Sequence, residues 1–196
     1  MIDRSFGWLG RFPLAVDLAD TIRVTGSVEV DLLGDDEALS AWIHAEVARF
    51  PTVKSAKGRL DEVQTLRRAV RDLLFARAGN EPLPGSALER VNNASAGGPS
   101  FQHLSESGQT HTVEVSDDAF AVFSAAVARS TMEVLAGVDH DHLAVCRAPS
   151  CGMLFVRASP RQRWCSSSCG NRARVARHAA RARNEMRADT YHEPDL

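Results

Sequence analysis

Cys146, Cys151, Cys165 and Cys169 are the chain's only cysteines, and they fall within 24 residues as C-x4-C-x13-C-x3-C. Zinc takes four thiolates at about 2.3 Å in structural sites, and two close pairs flanking a short excursion reach that geometry at little loop-closure cost. The set predicts one structural Zn2+ per chain. The alternatives are two disulfides, which need an oxidising compartment, or four unrelated buried thiols.

The N-terminus bears on that choice. Met1 to Val24 carries Asp3, Arg4, Arg11, Asp17, Asp20 and Arg23, which leaves no apolar h-region, so no signal peptide is expected. No apolar run reaches the roughly 20 residues that span a bilayer. The expectation is a soluble cytoplasmic protein with no membrane partner, its thiols reduced and available to metal.

Charge divides the chain. Residues 1–145 hold 13 basic and 21 acidic residues, net -8, whereas 146–187 hold ten arginines against Glu185 alone, net +9. Only Lys54 and Lys57 are lysines, so arginine is abundant throughout, and its clustering is what informs. From Cys169 toward Met186 the pattern is helical. At 100° per residue Val175, Ala179, Ala182 and Met186 form a narrow apolar docking stripe, Arg174, Arg177 and Arg181 a second stripe, and Arg172, Arg183 and Arg187 a third. Arginine offers planar, bidentate donors to phosphates and guanine edges, so this module matches nucleic acid, DNA or RNA. Candidate contacts are Arg161, Arg163, Arg172, Arg174, Arg177, Arg181 and Arg183. An acidic protein partner or a plain solvated helix are the competing readings.

Elements that must position these residues follow from periodicity. Between the cysteine pairs, Met153–Val156 reads as a strand returning through Gln162-Arg163-Trp164, with Phe155 and Trp164 as hairpin core, and Ser166–Ser168 as a helix cap. Knuckle, hairpin and ligand-bearing helix describe a treble-clef-like finger. Upstream, Asp35 and Asp36 cap a helix to about Phe50 with Leu39, Trp42, Ile43, Val47 and Phe50 inward. A second helix spans 60–78 with Val63, Leu66, Val70, Leu73 and Leu74 inward, Arg67, Arg68, Arg71 and Arg77 on its other faces, and Gly79 as C-terminal cap. Ser86 to Glu89 forms a capping box for a short helix through Asn92, and Ala94–Ser100 reads as a loop. Residues 101–104 and 110–115 read as a β-hairpin, and Ser116 as the cap of a helix to Ala136 carrying Phe120, Phe123, Val127, Val134 and Leu135. Leu14–Leu18 reads as either strand or helical turn. Asp139–His142 reads as a polar linker, and His103 and His111 as structural or exposed. The fold class is α+β: a mostly helical N-terminal domain with a small β-hairpin (1–140), a C-terminal four-cysteine finger (141–187) and a tail (188–196).

Cys169-Gly170-Asn171-Arg172, following Cys146 to Gly152 and Arg163-Trp164, resembles the CGNR zinc finger. The body is similar to the ABATE domain that precedes it in a bacterial family named for stress-induced transcription regulation, through Leu14–Leu18, Asp31-Leu32-Leu33, Leu39–Trp42, Leu66-Arg67 and Val91-Asn92. This chain has Asp20-Thr21 where the family often has Asn-Thr, so no amide-specific role is expected there. The resemblance implies a DNA-binding regulator with an N-terminal sensing or assembly domain. It makes Asp17, Asp20, Thr21, Arg67, Arg68 and Asn92 a candidate pocket for a small-molecule effector or another chain. Two other classes compete: a zinc-stabilised adaptor docking an acidic protein, and an enzyme with a site around Asp17, Asp20, Thr21, Arg67 and Asn92. No Ser-His-Asp set, phosphate-cradling glycine loop or His-Glu-x-x-His motif occurs, so no catalytic residues are assigned.

Overall fold

The computed structural model describes residues 9–25, 28–46, 49, 56–137 and 140–190. Leu14–Ala19 is a short helix (α1) whose six residues are all buried. A hairpin that periodicity did not suggest follows, β1 (Ile22–Thr25) against β2 (Val28–Asp31), with Ile22 opposite Asp31. Helix α2 (Asp36–Ala45) starts as expected, Asp35 accepting from the Ala38 N–H at 2.7 Å. It stops at Ala45, short of Phe50; Val47 and Phe50 lie outside the described residues.

Helix α3 spans Leu60–Ala78, and all five stripe residues are buried. Gly79 ends it in right-handed geometry, and Asn80 carries the left-handed turn at φ 56. Helix α4 (Gly85–Gly97) starts one residue before Ser86, without a side-chain cap, and runs through most of the segment expected to be loop. Its small residues serve close packing instead: a Cβ on Gly98, just past its end, would lie 2.4 Å from the Ala121 carbonyl oxygen and 2.8 Å from the Ala125 Cβ. Strands β3 (Ser100–Leu104) and β4 (Thr110–Glu114) form the expected hairpin. Helix α5 (Ala119–Ala136) is capped by Asp118, which accepts from the Phe120 and Ala121 N–H groups, while Ser116 accepts from Asp118.

Helix α5 is the one described helix long and apolar enough to cross a membrane. Nine of its residues are buried, and it packs on α1, α3 and α4 as the body's central helix. Trp42 meets Phe123 edge-on there, ring centroids 6.2 Å apart.

After a 3-10 turn at His140–His142 come β5 (Leu143–Val145), β6 (Leu154–Val156) and helix α6 (Ser167–Thr190). The turn accords with the linker reading of 140–142; Asp139 lies outside the described residues. The finger's strand pairing differs from expectation. β6 pairs with β5, ahead of the first cysteine, and Gln162-Arg163-Trp164 forms no strand. Burial explains the choice. Residues opposite one another share a face, so Leu143, Val145, Leu154 and Val156 enter the body's core while Ala144 and Phe155 pack beneath the cysteines. One two-stranded ribbon therefore serves both cores.

Candidate metal centre and arginine surface

The first cysteine pair sits on the knuckle joining β5 to β6. The Cys146 N–H donates to the Met153 carbonyl at 2.8 Å and the Cys151 N–H to the Ala148 carbonyl at 3.0 Å, with Ser150 left-handed at φ 56. The second pair brackets the start of α6, where Ser166 accepts from the Cys169 N–H through its hydroxyl (3.2 Å) and from the Gly170 N–H through its carbonyl (3.1 Å). Helix-terminal amides there favour the thiolates.

All four sulfurs lie within 4.8 Å of one another. A tetrahedron with 2.3 Å bonds has edges of about 3.8 Å. Cys165 Sγ lies 3.8 Å from Cys151 Sγ and 3.5 Å from Cys169 Sγ, far beyond the roughly 2.05 Å of a disulfide. Hydrogen bonding from Cys165 pulls Cys151 down to about 5, the same contact drives Cys165 up, and burial pushes Cys146 up. Four thiolates held this close repel one another, and a bound cation offsets that repulsion. The donor set fits one structural Zn2+, whose role is to hold the knuckle against α6.

Outer contacts steady the ligands. Arg172 Nη2 donates to Cys169 Sγ at 2.9 Å, the Cys165 N–H to Cys146 Sγ at 3.5 Å, and the Trp164 indole covers Gly170 so closely that a Cβ there would lie 3.1 Å from its Cδ1. Trp164 is thus part of the finger's core, as the sequence suggested. Phe12 touches both cores, a bridging role that nothing in its sequence neighbourhood signalled.

The seven candidate arginines, Arg161, Arg163, Arg172, Arg174, Arg177, Arg181 and Arg183, are all exposed. Past Ala173, none of the described side chains of α6 is buried. The expected docking stripe is consequently uncovered, with Val175 60% and Met186 63% exposed. Arg174, Arg177, His178 and Arg181 line a shallow groove along the helix.

The six candidate pocket residues are not brought together. Arg68 and Asn92 are exposed; the other four are buried, and of these Arg67 and Thr21 meet directly. Asp17 accepts from the Gly10 N–H and from Arg49 Nη1, both at 3.0 Å; burial raises its carboxyl to about 7. Asp20 accepts from the Leu154 N–H at 2.9 Å, tying body to ribbon, and burial holds its carboxyl well above the usual range. Arg67 is buried, contrary to its expected outer face, and donates to Thr21 and bidentately to Asp31 on β2. Burial pushes Asp31 up, but the hydrogen bonds and charge of Arg67 hold it below its ordinary value. Asp17 Oδ1, Asp20 Oδ2 and Arg67 Nε stay buried without a hydrogen-bond partner, so the network is only partly satisfied. A separate cavity of about 720 Å³ lies between α3, α4 and α5, lined by Thr65, Leu66, Asn93, Ala94, Phe120 and Ser124 among others, and none of the six reaches it.

His103 and His111 face each other across β3 and β4, ring centroids 4.7 Å apart and exposed.

A helical body that shares a β-ribbon with a four-cysteine finger bearing a projecting basic helix defines a zinc-finger protein of the treble-clef-like kind. Residues 13–138 match the family model ABATE, described as "Putative stress-induced transcription regulator", and residues 142–182 match the CGNR zinc finger. The chain belongs to the ABATE family and carries the CGNR finger at its C-terminal side. Neither description is that of an enzyme. No curated protein matches the chain.

Proposed function

We propose that this protein is a DNA-binding transcription regulator whose finger helix α6 presents arginines to the phosphate backbone. One observation carries the reading: Arg174, Arg177, Arg181 and Arg183 stand exposed on a helix that projects from the body, with Glu185 the one acidic residue among residues 146–187. Arginines so crowded repel one another unless a polyanion neutralises them, and duplex DNA carries one charge per roughly 1.7 Å. The family description agrees with a regulator. The reading implies a reducing, cytoplasmic setting, since the thiols must stay free for zinc.

The test is selection from random duplex DNA by zinc-loaded full-length protein at about 150 mM salt, where non-specific electrostatic binding weakens and sequence readout survives. A regulator enriches a motif. A second reading, an adaptor docking an acidic protein, is favoured by the uncovered Val175 and Met186 stripe. An adaptor enriches no motif and binds duplex no better than heparin.

A further inference from the structure

At the start of α6 a cleft of about 600 Å³ is lined by Arg11, Arg161, Arg163, Trp164, Ser167 and Arg174, with no acidic residue in its wall. Among the described residues no carboxylate pairs with Arg11, Arg161 or Arg163. Arg174 spends one donor on Asn171 Oδ1 at 3.2 Å, and Arg163 rests over Trp164 with its guanidinium carbon 5.8 Å from the ring centroid. Three of these arginines come from the finger. The fourth, Arg11, comes from the segment ahead of α1, and its neighbours are fixed on both sides. Gly10 donates to buried Asp17, and Phe12 is packed into both cores while its carbonyl accepts from Arg49 Nη2 at 2.5 Å. The body thus holds an exposed cation against the finger's cleft.

We propose that this cleft is a composite phosphate seat, in which Arg11 of the body joins Arg161, Arg163 and Arg174 of the finger on adjacent backbone phosphates of the bound nucleic acid. The inference rests on the nucleic-acid reading and deepens it. A zinc tetrathiolate carries a formal charge of -2, and Arg172, which donates to Cys169 Sγ, already answers part of it. Four further guanidiniums exceed what the metal centre needs, and each offers five donors suited to phosphate oxygens. A backbone phosphate is favoured over a free one because the cleft is open and lies at the N-terminal end of the same helix whose arginines continue away from it. The acidic body, which by net charge repels DNA, contributes a contact at this place.

The experiment uses zinc-loaded full-length protein and a duplex with 5′-hydroxyl ends, with affinity measured across salt for the wild type, Arg11→Ala, Arg161→Ala and, as a control at an exposed arginine of α3 outside the cleft, Arg68→Ala. Each lost phosphate contact flattens the log K against log salt slope by about 0.9. The expected result is that flattening in Arg11→Ala and in Arg161→Ala, zinc content unchanged, with Arg68→Ala like the wild type. Wild-type slope in zinc-loaded Arg11→Ala overturns the seat and leaves the proposed function standing. Loss of zinc affinity in Arg11→Ala with an unchanged slope also overturns it, since the arginines would then serve only the thiolates. Absence of wild-type binding to any nucleic acid overturns both readings. Calorimetry with inorganic phosphate separates the sources: uptake by the wild type and not by Arg11→Ala, without any duplex effect, assigns the cleft to free phosphate and overturns the backbone assignment.

Discussion

Phe155→Ala tests whether finger and body fold as one unit. The ring is 1% exposed, lies on the metal-side face of β6 and packs with Ala144, Cys146, Ala148 and Cys169. Emptying such a site costs about 3–5 kcal/mol. Its neighbour Leu154 is fully buried on the opposite face, inside the body, and its N–H is held by Asp20. A ribbon loosened on one side cannot keep Leu143 and Leu154 seated on the other, so the loss should reach the helices. For a chain of this size about 1 kcal/mol moves Tm by 2–4 °C, which gives a drop of roughly 6–20 °C. The assay is thermal and denaturant unfolding followed in parallel by far-ultraviolet circular dichroism, dominated by the helical body, and by zinc release to a chromophoric chelator. Coincident, equally shifted transitions are expected. Early zinc release with an unmoved helical transition would refute the shared-ribbon argument and restore two separable domains.

Three further outcomes follow from the same geometry. Arg172→Ala removes the guanidinium on Cys169 Sγ and should weaken zinc by about 10- to 100-fold in competition with a chelator, the usual cost of losing an outer-shell partner. Gly170→Ala would gain up to about 1 kcal/mol of helix propensity on an open surface, but here its Cβ meets the Trp164 ring at 3.1 Å, so lower stability with altered tryptophan emission is expected. Folding raises Asp17 from its ordinary 3.8 to about 7, so its contribution to stability is complete below pH 3.8 and is lost progressively up to pH 7; in excess zinc the wild type should lose stability relative to Asp17→Asn between pH 5 and pH 7 and run parallel to it above that. A flat difference would show that burial does not penalise the charged carboxylate.

Much of the architecture was readable because it is local. The four cysteines announce their cluster, and α3 matched its expected span because every stripe residue recurs at helical spacing. What could not be read depends on contacts distant in sequence. Residues 154–156 have a strand's composition, but only the body's core, by accepting Leu143 and Leu154, selects β5 as partner over 162–164. Small residues at Ala94–Gly98 look like loop until α5 is packed against them. Asp17, Asp20 and Arg67 beside apolar segments suggest a pocket equally well as a buried structural network, and only the Gly10, Leu154 and Asp31 partners decide. The finger helix behaved oppositely. Its arginines as far as Arg183 stand exposed as expected, and Val175 and Met186 of the apolar stripe are exposed as well.

The most direct measurement of the central claim is the salt dependence of duplex DNA affinity for the wild type and for Arg174→Ala/Arg177→Ala/Arg181→Ala, with zinc content determined on the same samples. Arginines resting on phosphates each contribute about 0.9 to the slope, so the triple variant should flatten it by roughly 2 to 3 units while retaining one zinc per chain. A zinc-loaded triple variant that binds duplex with the wild-type slope would contradict the account and leave the adaptor as the better reading of this helix.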